Sequence, residues 1–266
     1  MADFLDVLAR DAKATIKAGY YEHLTEAATE PISLRKAIQQ SQHVPVIAEI
    51  KGASPSAGVI RHEFATEKVA SAMARGGAVG ISVLTEPKHF NGSLANLVKV
   101  RRAVELPVLM KDIIVSPLQL EAAARTGANA VLLIQALFDR GYGKLGVHEM
   151  IEAAHSRRLE VLLEAHDGDE FRRALASNAD LVGINNRNLA TLEVDLNVTR
   201  HILEKKSLDG KIVVSESGIH TAADILFLSE CGAEAFLVGS AIMSTEDIEE
   251  KVREFTFALR QEDSKT

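Results

Sequence analysis

Residues 44–51, Val44-Pro45-Val46-Ile47-Ala48-Glu49-Ile50-Lys51, read as one short β-strand that opens after a proline. Side chains on a strand alternate between faces, so Val46, Ala48 and Ile50 share an apolar face while Ile47, Glu49 and Lys51 share the other. The second face carries two charges toward what should be a core, and buried charge is costly unless it is paired or used. Gly52-Ala53-Ser54-Pro55-Ser56-Ala57-Gly58 follows, a run of small turn-forming residues expected to be a mobile loop. A charged strand end that feeds such a loop is how an active site begins in a parallel α/β protein.

The same pattern recurs down the chain. Strands are expected at 44–50, 79–84, 107–111, 130–135, 159–165, 180–185, 211–216 and 235–239. Helices are expected between them, at 64–75, 92–104, 117–126, 144–157, 168–177, 195–205, 221–231 and 245–260, several closing on glycine: Gly76-Gly77, Gly127 and Gly232. Eight alternating units suit a closed (β/α)₈ TIM barrel in the α/β class. An open doubly wound sheet is the alternative, but no G-x-G-x-x-G follows the first strand, which argues against a dinucleotide site.

Ahead of the barrel, residues 3–18 carry an apolar helical stripe of Phe4, Leu5, Leu8, Ala12 and Ile16, and a second short helix runs from near Pro31 to Gln40. Residues 1–43 are therefore expected to be a helical extension that caps one end of a single domain spanning 1–266.

Composition narrows the function. The chain has 266 residues, a net charge of −7 and one cysteine, Cys231. The negative charge argues against general nucleic-acid affinity. No apolar run approaches the ~18 residues of a membrane span, and no signal segment is evident, so a cytoplasmic setting without membrane or nucleic-acid partners is expected. The nine histidines show neither H-x-H nor H-E-x-x-H spacing, so no metal site is expected. His166-Asp167-Gly168-Asp169 reads more readily as a helix N-cap than as a metal cluster. Cys231, on a helix away from any strand end, reads as a packing residue.

Chemistry in a (β/α)₈ barrel sits at the C-terminal strand ends. The odd strands end in Glu49-Ile50-Lys51, Lys111-Asp112, Glu164-Ala165-His166 and Glu216-Ser217-Gly218. Alternate strands share an interior layer, so these charges can converge and shift one another's pKa values, as acid–base sites require. Even strands end in milder groups, among them Asn185-Asn186-Arg187 and Gly239-Ser240. Ser217-Gly218 and Gly239-Ser240, after strands seven and eight, suit a phosphate cup. Phe90, close to Gly92 after strand two, reads as a substrate wall in preference to a lid over the barrel.

These residues resemble one family, indole-3-glycerol-phosphate synthase of tryptophan biosynthesis. The matching pieces are AEIKGASPS (48–56), LTEPKHFNGS (84–93), PVLMKDIIV (107–115), LLEAH (162–166), GINNRNLATLEVDL (183–196), VSESGI (214–219) and FLVGSAIM (236–243). The resemblance implies a cofactor-free ring closure of 1-(2-carboxyphenylamino)-1-deoxyribulose 5-phosphate with loss of CO₂ and water. It implies Lys111 as the first proton donor, and Lys51 and Glu164 as the dehydration pair with their division of labour open. Glu49 would hold the lysines, while Asn185, Arg187 and Glu216 orient groups. Ser54 and Ser56 would lie on a loop over substrate. Phe90 and Leu132 would flank the aromatic ring, and Ser217, Gly218, Gly239 and Ser240 would hold the phosphate. Gly52, Ala57 and Ile113 depart from the family's usual residues there. The expected partner is a phosphorylated small molecule, and the expected state a monomer or weak homo-oligomer. Phosphoribosylanthranilate isomerase is the rival enzyme, but it needs a Cys/Asp pair at strand ends. A non-catalytic phosphate-binding barrel would not need Glu49, Lys51, Lys111 and Glu164.

Overall fold

A computed structural model describes residues 3–22, 30–54, 58–59, 64–204, 208 and 210–260. Eight parallel strands close a barrel: β1 Val46–Ile50, β2 Gly80–Leu84, β3 Val108–Lys111, β4 Ala130–Ile134, β5 Glu160–Ala165, β6 Leu181–Asn185, β7 Ile212–Glu216 and β8 Ala235–Val238. Each pairs with its neighbour in sequence, and β8 pairs with β1 to complete the ring. The register alternates two apolar layers. Ile47, Leu109, Leu132, Leu162, Leu181, Ile212, Val214 and Leu237 fill the barrel interior. Val46, Ala48, Ile50, Val83, Met110, Val131, Leu163 and Val213 face outward into the layer between strands and helices. The face division expected for the first strand is thus the observed one.

The helices are α1 Phe4–Lys17, α2 Leu34–Gln39, α3 Thr66–Arg75, α4 Leu94–Ala103, α5 Pro117–Thr126, α6 Gln135–Asp139, α7 Val147–His155, α8 Gly168–Leu175, α9 Asn197–Leu203, α10 Ala222–Glu230, α11 Ser240–Met243 and α12 Ile248–Thr256. Local chemistry sets several boundaries. Ser116 caps α5, Pro117 occupies its first turn, Gln119 completes a capping box and Gly127 ends it. Asp167 caps α8 by accepting the backbone N–H groups of Asp169 and Glu170, which gives the Asp167 stretch its capping role. Cys231 is the C-cap of α10. Helix α6 was not expected, because Ala130 to Leu137 is one apolar run in which periodicity cannot separate strand from helix.

The helices before the first strand divide between the two ends of the barrel. Helix α1 lies over the C-terminal mouth. Asp11 pairs with Lys88 and His89 there, and Arg140 bridges Asp3 and Asp6. Helix α2 lies under the N-terminal end, where Ser33 and the Arg35 backbone N–H bond the carboxylate of Glu160, the first residue of β5. The stretch expected to be a mobile loop begins with an antiparallel ribbon, Ala53–Ser54 against Gly58–Val59. Ser56 and Ala57, expected on it, lie outside the described residues.

Candidate active site

The interior-facing residues at the C-terminal strand ends converge in one cavity. It is lined by Glu49, Lys51, Lys111, Glu164, Asn185 and Arg187 on its charged side, and by Phe4, Leu8, Leu84, Phe90, Leu132 and Ile134 on its apolar side. Ser217, Gly218, Gly239 and Ser240 complete the rim.

Glu49 is the hub of the charged side. Its Oε1 lies 2.9 Å from Lys51 Nζ and its Oε2 lies 3.2 Å from Lys111 Nζ. Lys111 also donates to Glu216 Oε2 at 3.0 Å. All of these side chains are largely or wholly buried. Burial alone would push the Glu49 carboxyl up, but the Lys111 and Lys51 ammoniums outweigh it and bring its pKa down to about 2. Burial disfavours the Lys111 ammonium, yet Glu49, Glu216 and Glu164 together hold its pKa above the ordinary lysine value. Glu216 behaves in the opposite way. Burial first, then the charges of Glu164 and Glu49, raise its pKa to about 7 against the pull of Lys111. Burial would also raise Glu164, but contact with His166 and the charge of Lys111 keep it below the ordinary carboxylate range. Lys111, which lines the cavity, is thus an ammonium held between Glu49, a carboxylate fixed as an anion, and Glu216, a fully buried carboxyl behind the lining that titrates near neutrality.

Two glycines make room for this cluster. A Cβ on Gly183, in the interior of β6, would collide with Glu216 Oε1 and crowd the Cα of Glu164. A Cβ on Gly239 would meet Glu49 Oε1 and stand 2.9 Å from Lys51 Cε. The sequence reading placed Gly239 in the phosphate cup; its absent side chain also leaves the space that Glu49 and Lys51 occupy. Gly183 was not singled out. A glycine inside an apolar strand is the signal that marks such a close approach.

Asn185 is buried, and its Oδ1 accepts the Arg187 backbone N–H at 3.0 Å. The Arg187 guanidinium donates to the Leu192 carbonyl at 3.0 Å, so it braces the loop after β6 as well as lining the cavity. Burial lowers its pKa, opposed by the charge of Glu49. Phe90 is held by a turn in which Glu86, itself buried, accepts the backbone N–H groups of Lys88, His89 and Phe90 at 2.7–3.1 Å. Ser217 and Gly218 both have positive φ, at 67° and 82°. A Cβ on Gly218 would strike Val194, so this turn requires glycine. Ser54 lies in the short ribbon beyond Lys51.

Sequence reasoning missed Phe4, Leu8 and Ile134 as cavity walls. Phe4 and Leu8 were legible only as an apolar stripe, and nothing local says which surface such a stripe covers. Among the described residues no group of three His, Cys, Asp or Glu side chains could hold a metal ion, and no helix is long and apolar enough to cross a membrane.

Comparison with known proteins agrees with this architecture. A family model described as indole-3-glycerol phosphate synthase matches residues 6–255. The indole-3-glycerol phosphate synthase of Methanocaldococcus jannaschii is 44% identical over 229 residues, covering 84% of this chain and 83% of that protein. Those of Acetivibrio thermocellus and Campylobacter fetus are 39% and 38% identical over 227 and 224 residues, covering 85% and 84% of this chain and 85% of each relative. Two solved structures share the fold at low identity. A thiamine phosphate pyrophosphorylase from Pyrococcus furiosus gives a TM-score of 0.61 at 18% identity, covering 86% of this chain and 98% of that one. A 3-hexulose-6-phosphate synthase gives 0.63 at 17%, covering 80% and 99%. With the family model and these relatives each spanning most of its length, the chain belongs to the indole-3-glycerol phosphate synthase family.

Proposed function

We propose that this chain catalyses the reaction its family is named for. The enzyme is a carbon–carbon lyase that closes the indole ring of indole-3-glycerol phosphate from 1-(2-carboxyphenylamino)-1-deoxyribulose 5-phosphate. The observation that carries the reading is the placement of Lys111 between Glu49 and Glu216 at the floor of a cavity whose other side is apolar.

The first step needs a proton donor for the ribulose carbonyl oxygen. The ring carbon bearing the carboxylate attacks the carbonyl carbon, and the carbonyl π pair goes to oxygen. Lys111 donates a hydrogen bond to that oxygen and then its proton, because an alkoxide is a stronger base than an amine. The C–C bond to the carboxylate breaks next. CO₂ leaves and its bonding pair restores the aromatic ring.

Dehydration follows. The hydroxyl needs an acid and the ring nitrogen a base. Glu164, held as a carboxylate, takes the N–H proton as Lys51, ion-paired with Glu49, protonates the leaving hydroxyl as water; loss of a proton from the adjacent CH₂ and return of a proton to nitrogen then complete the aromatic five-membered ring. Glu216 shares the Lys111 proton network. Glu49 bridges the two lysines and favours the ammonium form of Lys111.

The apolar wall of Phe90, Leu132 and Ile134, closed by Phe4 and Leu8 of α1, takes the anthranilate ring. Ser217, Gly218, Gly239 and Ser240 lie where phosphate commonly binds in these barrels, after β7 and β8, and take the sugar phosphate. Ser54 and Ser56 follow Lys51 in sequence and would cover the substrate. No metal or dissociable cofactor has a part in this scheme, and a cytoplasmic setting and a monomeric or weakly associating state go with it.

The test is conversion of the carboxyphenylamino substrate by purified protein in EDTA, followed by indole fluorescence and CO₂ release. Stoichiometric indole-3-glycerol phosphate and CO₂ are expected. A protein that binds the substrate and leaves it unchanged would instead favour the phosphate-binding barrel.

A further inference from the structure

His166 immediately follows β5, two residues beyond Glu164. Residues two apart along a strand direction share a side, so the imidazole stands beside the Glu164 carboxylate. His166 Nε2 lies 3.2 Å from Glu164 Oε1. On the other side of the ring, Nδ1 lies 3.3 Å from Glu170 Oε2, and that same oxygen accepts the His166 backbone N–H at 2.8 Å. Glu170 belongs to the first turn of α8, which Asp167 caps, so its position is set by the helix. The three side chains are 2–15% exposed. The cavity is lined by Glu164 and by neither His166 nor Glu170. A carboxylate–imidazole–carboxylate row thus runs from the cavity into the wall behind it.

A carboxyl buried without a cation takes up a proton. Lys111 is committed to Glu49 and Glu216 by direct contact and acts on Glu164 from farther away. Among the described residues, His166 is the cationic group in ion-pair contact with Glu164. Burial works against the imidazolium, but its two flanking carboxylates raise its pKa to about 10. The charges that act on the ring are those of Glu164 and Glu170. Strands β4 and β6 set Ile134 and Gly183 beside Glu164. Helix α6 directs Asp139 to Arg173 and Gln135.

We infer that His166 is a positioning residue for the reaction: its imidazolium, fixed by Glu170 from behind, holds the Glu164 carboxylate ionised and oriented in the cavity. The inference rests on the reading of Glu164 as the dehydration base. Without the imidazolium, burial of Glu164 is less opposed and its pKa rises, so the acidic limb of kcat moves to higher pH. Raising the pH then restores the carboxylate and most of the rate. A ring that only fills space would lower the rate equally at every pH.

The experiment measures kcat and KM against pH for the full chain and for His166→Gln, each alone and with Glu164→Gln. His166→Gln is expected to lower kcat roughly tenfold or more near pH 6, to come within about threefold of the parent near pH 9, and to leave KM nearly unchanged. In the Glu164→Gln background it should change kcat by less than about twofold, since the residue it serves is gone. An equal loss across the pH range, or the same loss in both backgrounds, overturns the inference. NMR titration of the His166 ring gives a readout that does not need turnover. In the parent protein the ring should stay protonated to about pH 10 and should lose its proton at lower pH in Glu164→Gln. A parent ring titrating near its ordinary value overturns the inference. Parent protein without ring-closing activity would defeat the proposed function, while the titration would still decide the pairing.

Discussion

The phenol of Tyr21 donates a hydrogen bond to Asp112 Oδ2 across 3.0 Å, joining the chain just after α1 to the residue that follows Lys111. Both side chains are buried, and Gln119 Nε2 donates to the same phenol oxygen. Tyr20 makes a parallel tie, donating to the Thr85 carbonyl and accepting the Leu94 N–H. The helix over the mouth is thereby fastened to β2 and β3, the strand ends nearest Phe90 and Lys111.

Tyr21→Phe should therefore destabilise the protein with little change in kcat. A lost hydrogen bond to a charged group costs about 1.5–3 kcal/mol. Burial raises the Asp112 pKa to about 6 although Thr85, Ile113 and Tyr21 donate to it. Its folded value lies above its unfolded one, so its contribution to stability falls as pH rises from about 4 to about 6 and then levels off. Removing the phenol raises the folded value further and extends that decline to higher pH. Urea unfolding should show the Tyr21→Phe loss larger at pH 8 than at pH 4; a loss independent of pH would contradict this.

Glu49 gives the opposite slope. Its folded pKa, about 2, lies below its ordinary value of 4.5, so its contribution is full above about pH 4.5 and is lost as pH falls toward 2. Glu49→Gln should flatten the acid limb of the stability curve in that window. It strips a partner from two buried ammoniums, so a loss of about 3–5 kcal/mol at pH 7 is expected. Acid titration of unfolding for parent and variant checks both statements.

Gly183→Ala tests the packing of the carboxyls of Glu164 and Glu216. The added methyl must displace Glu216 Oε1 and press on β5 at Glu164. The substrate-binding walls lie elsewhere, so kcat should fall by roughly 10-fold or more while KM changes little. A pure rise in KM would show that Gly183 serves binding instead.

Much of this site is legible in the sequence. Glu49, Lys111, Glu164 and Glu216 each interrupt a β-branched or leucine-rich run at its end, and period-two alternation puts them on the face that also carries Ile47, Leu109, Leu162 and Val214. What was hidden depends on contacts between distant segments. The apolar stripe of α1 does not say that Phe4 and Leu8 close the cavity rather than pack outside it. His166 looked like the prelude to a helix cap because its partner Glu170 comes from the helix that the cap begins. Helix α6 vanished inside a continuous apolar run, since Gln135 is the sole polar residue between Ala130 and Phe138.

The phosphate cup makes a separable prediction. Ser240 begins α11 at the rim of the cavity. Ser240→Glu places a carboxylate where the dianion should sit. KM should rise at least about 10-fold, and inorganic phosphate should cease to compete with substrate. Unchanged phosphate inhibition in a folded Ser240→Glu protein would remove Ser240 from the cup.

The measurement that bears most directly on the account is single-turnover ring closure by Lys111→Met at saturating substrate, with a thermal melt to establish folding. Methionine keeps most of the side-chain volume but removes the proton donor between Glu49 and Glu216. General acid catalysis is worth about 10²–10⁴-fold, so the folded variant should bind substrate and close the ring at least ~10²-fold more slowly. Glu216, deprived of its cation, should titrate above about 7. A folded Lys111→Met protein that closes the ring within about threefold of the parent rate would contradict the assignment of Lys111 as the donor that starts the reaction.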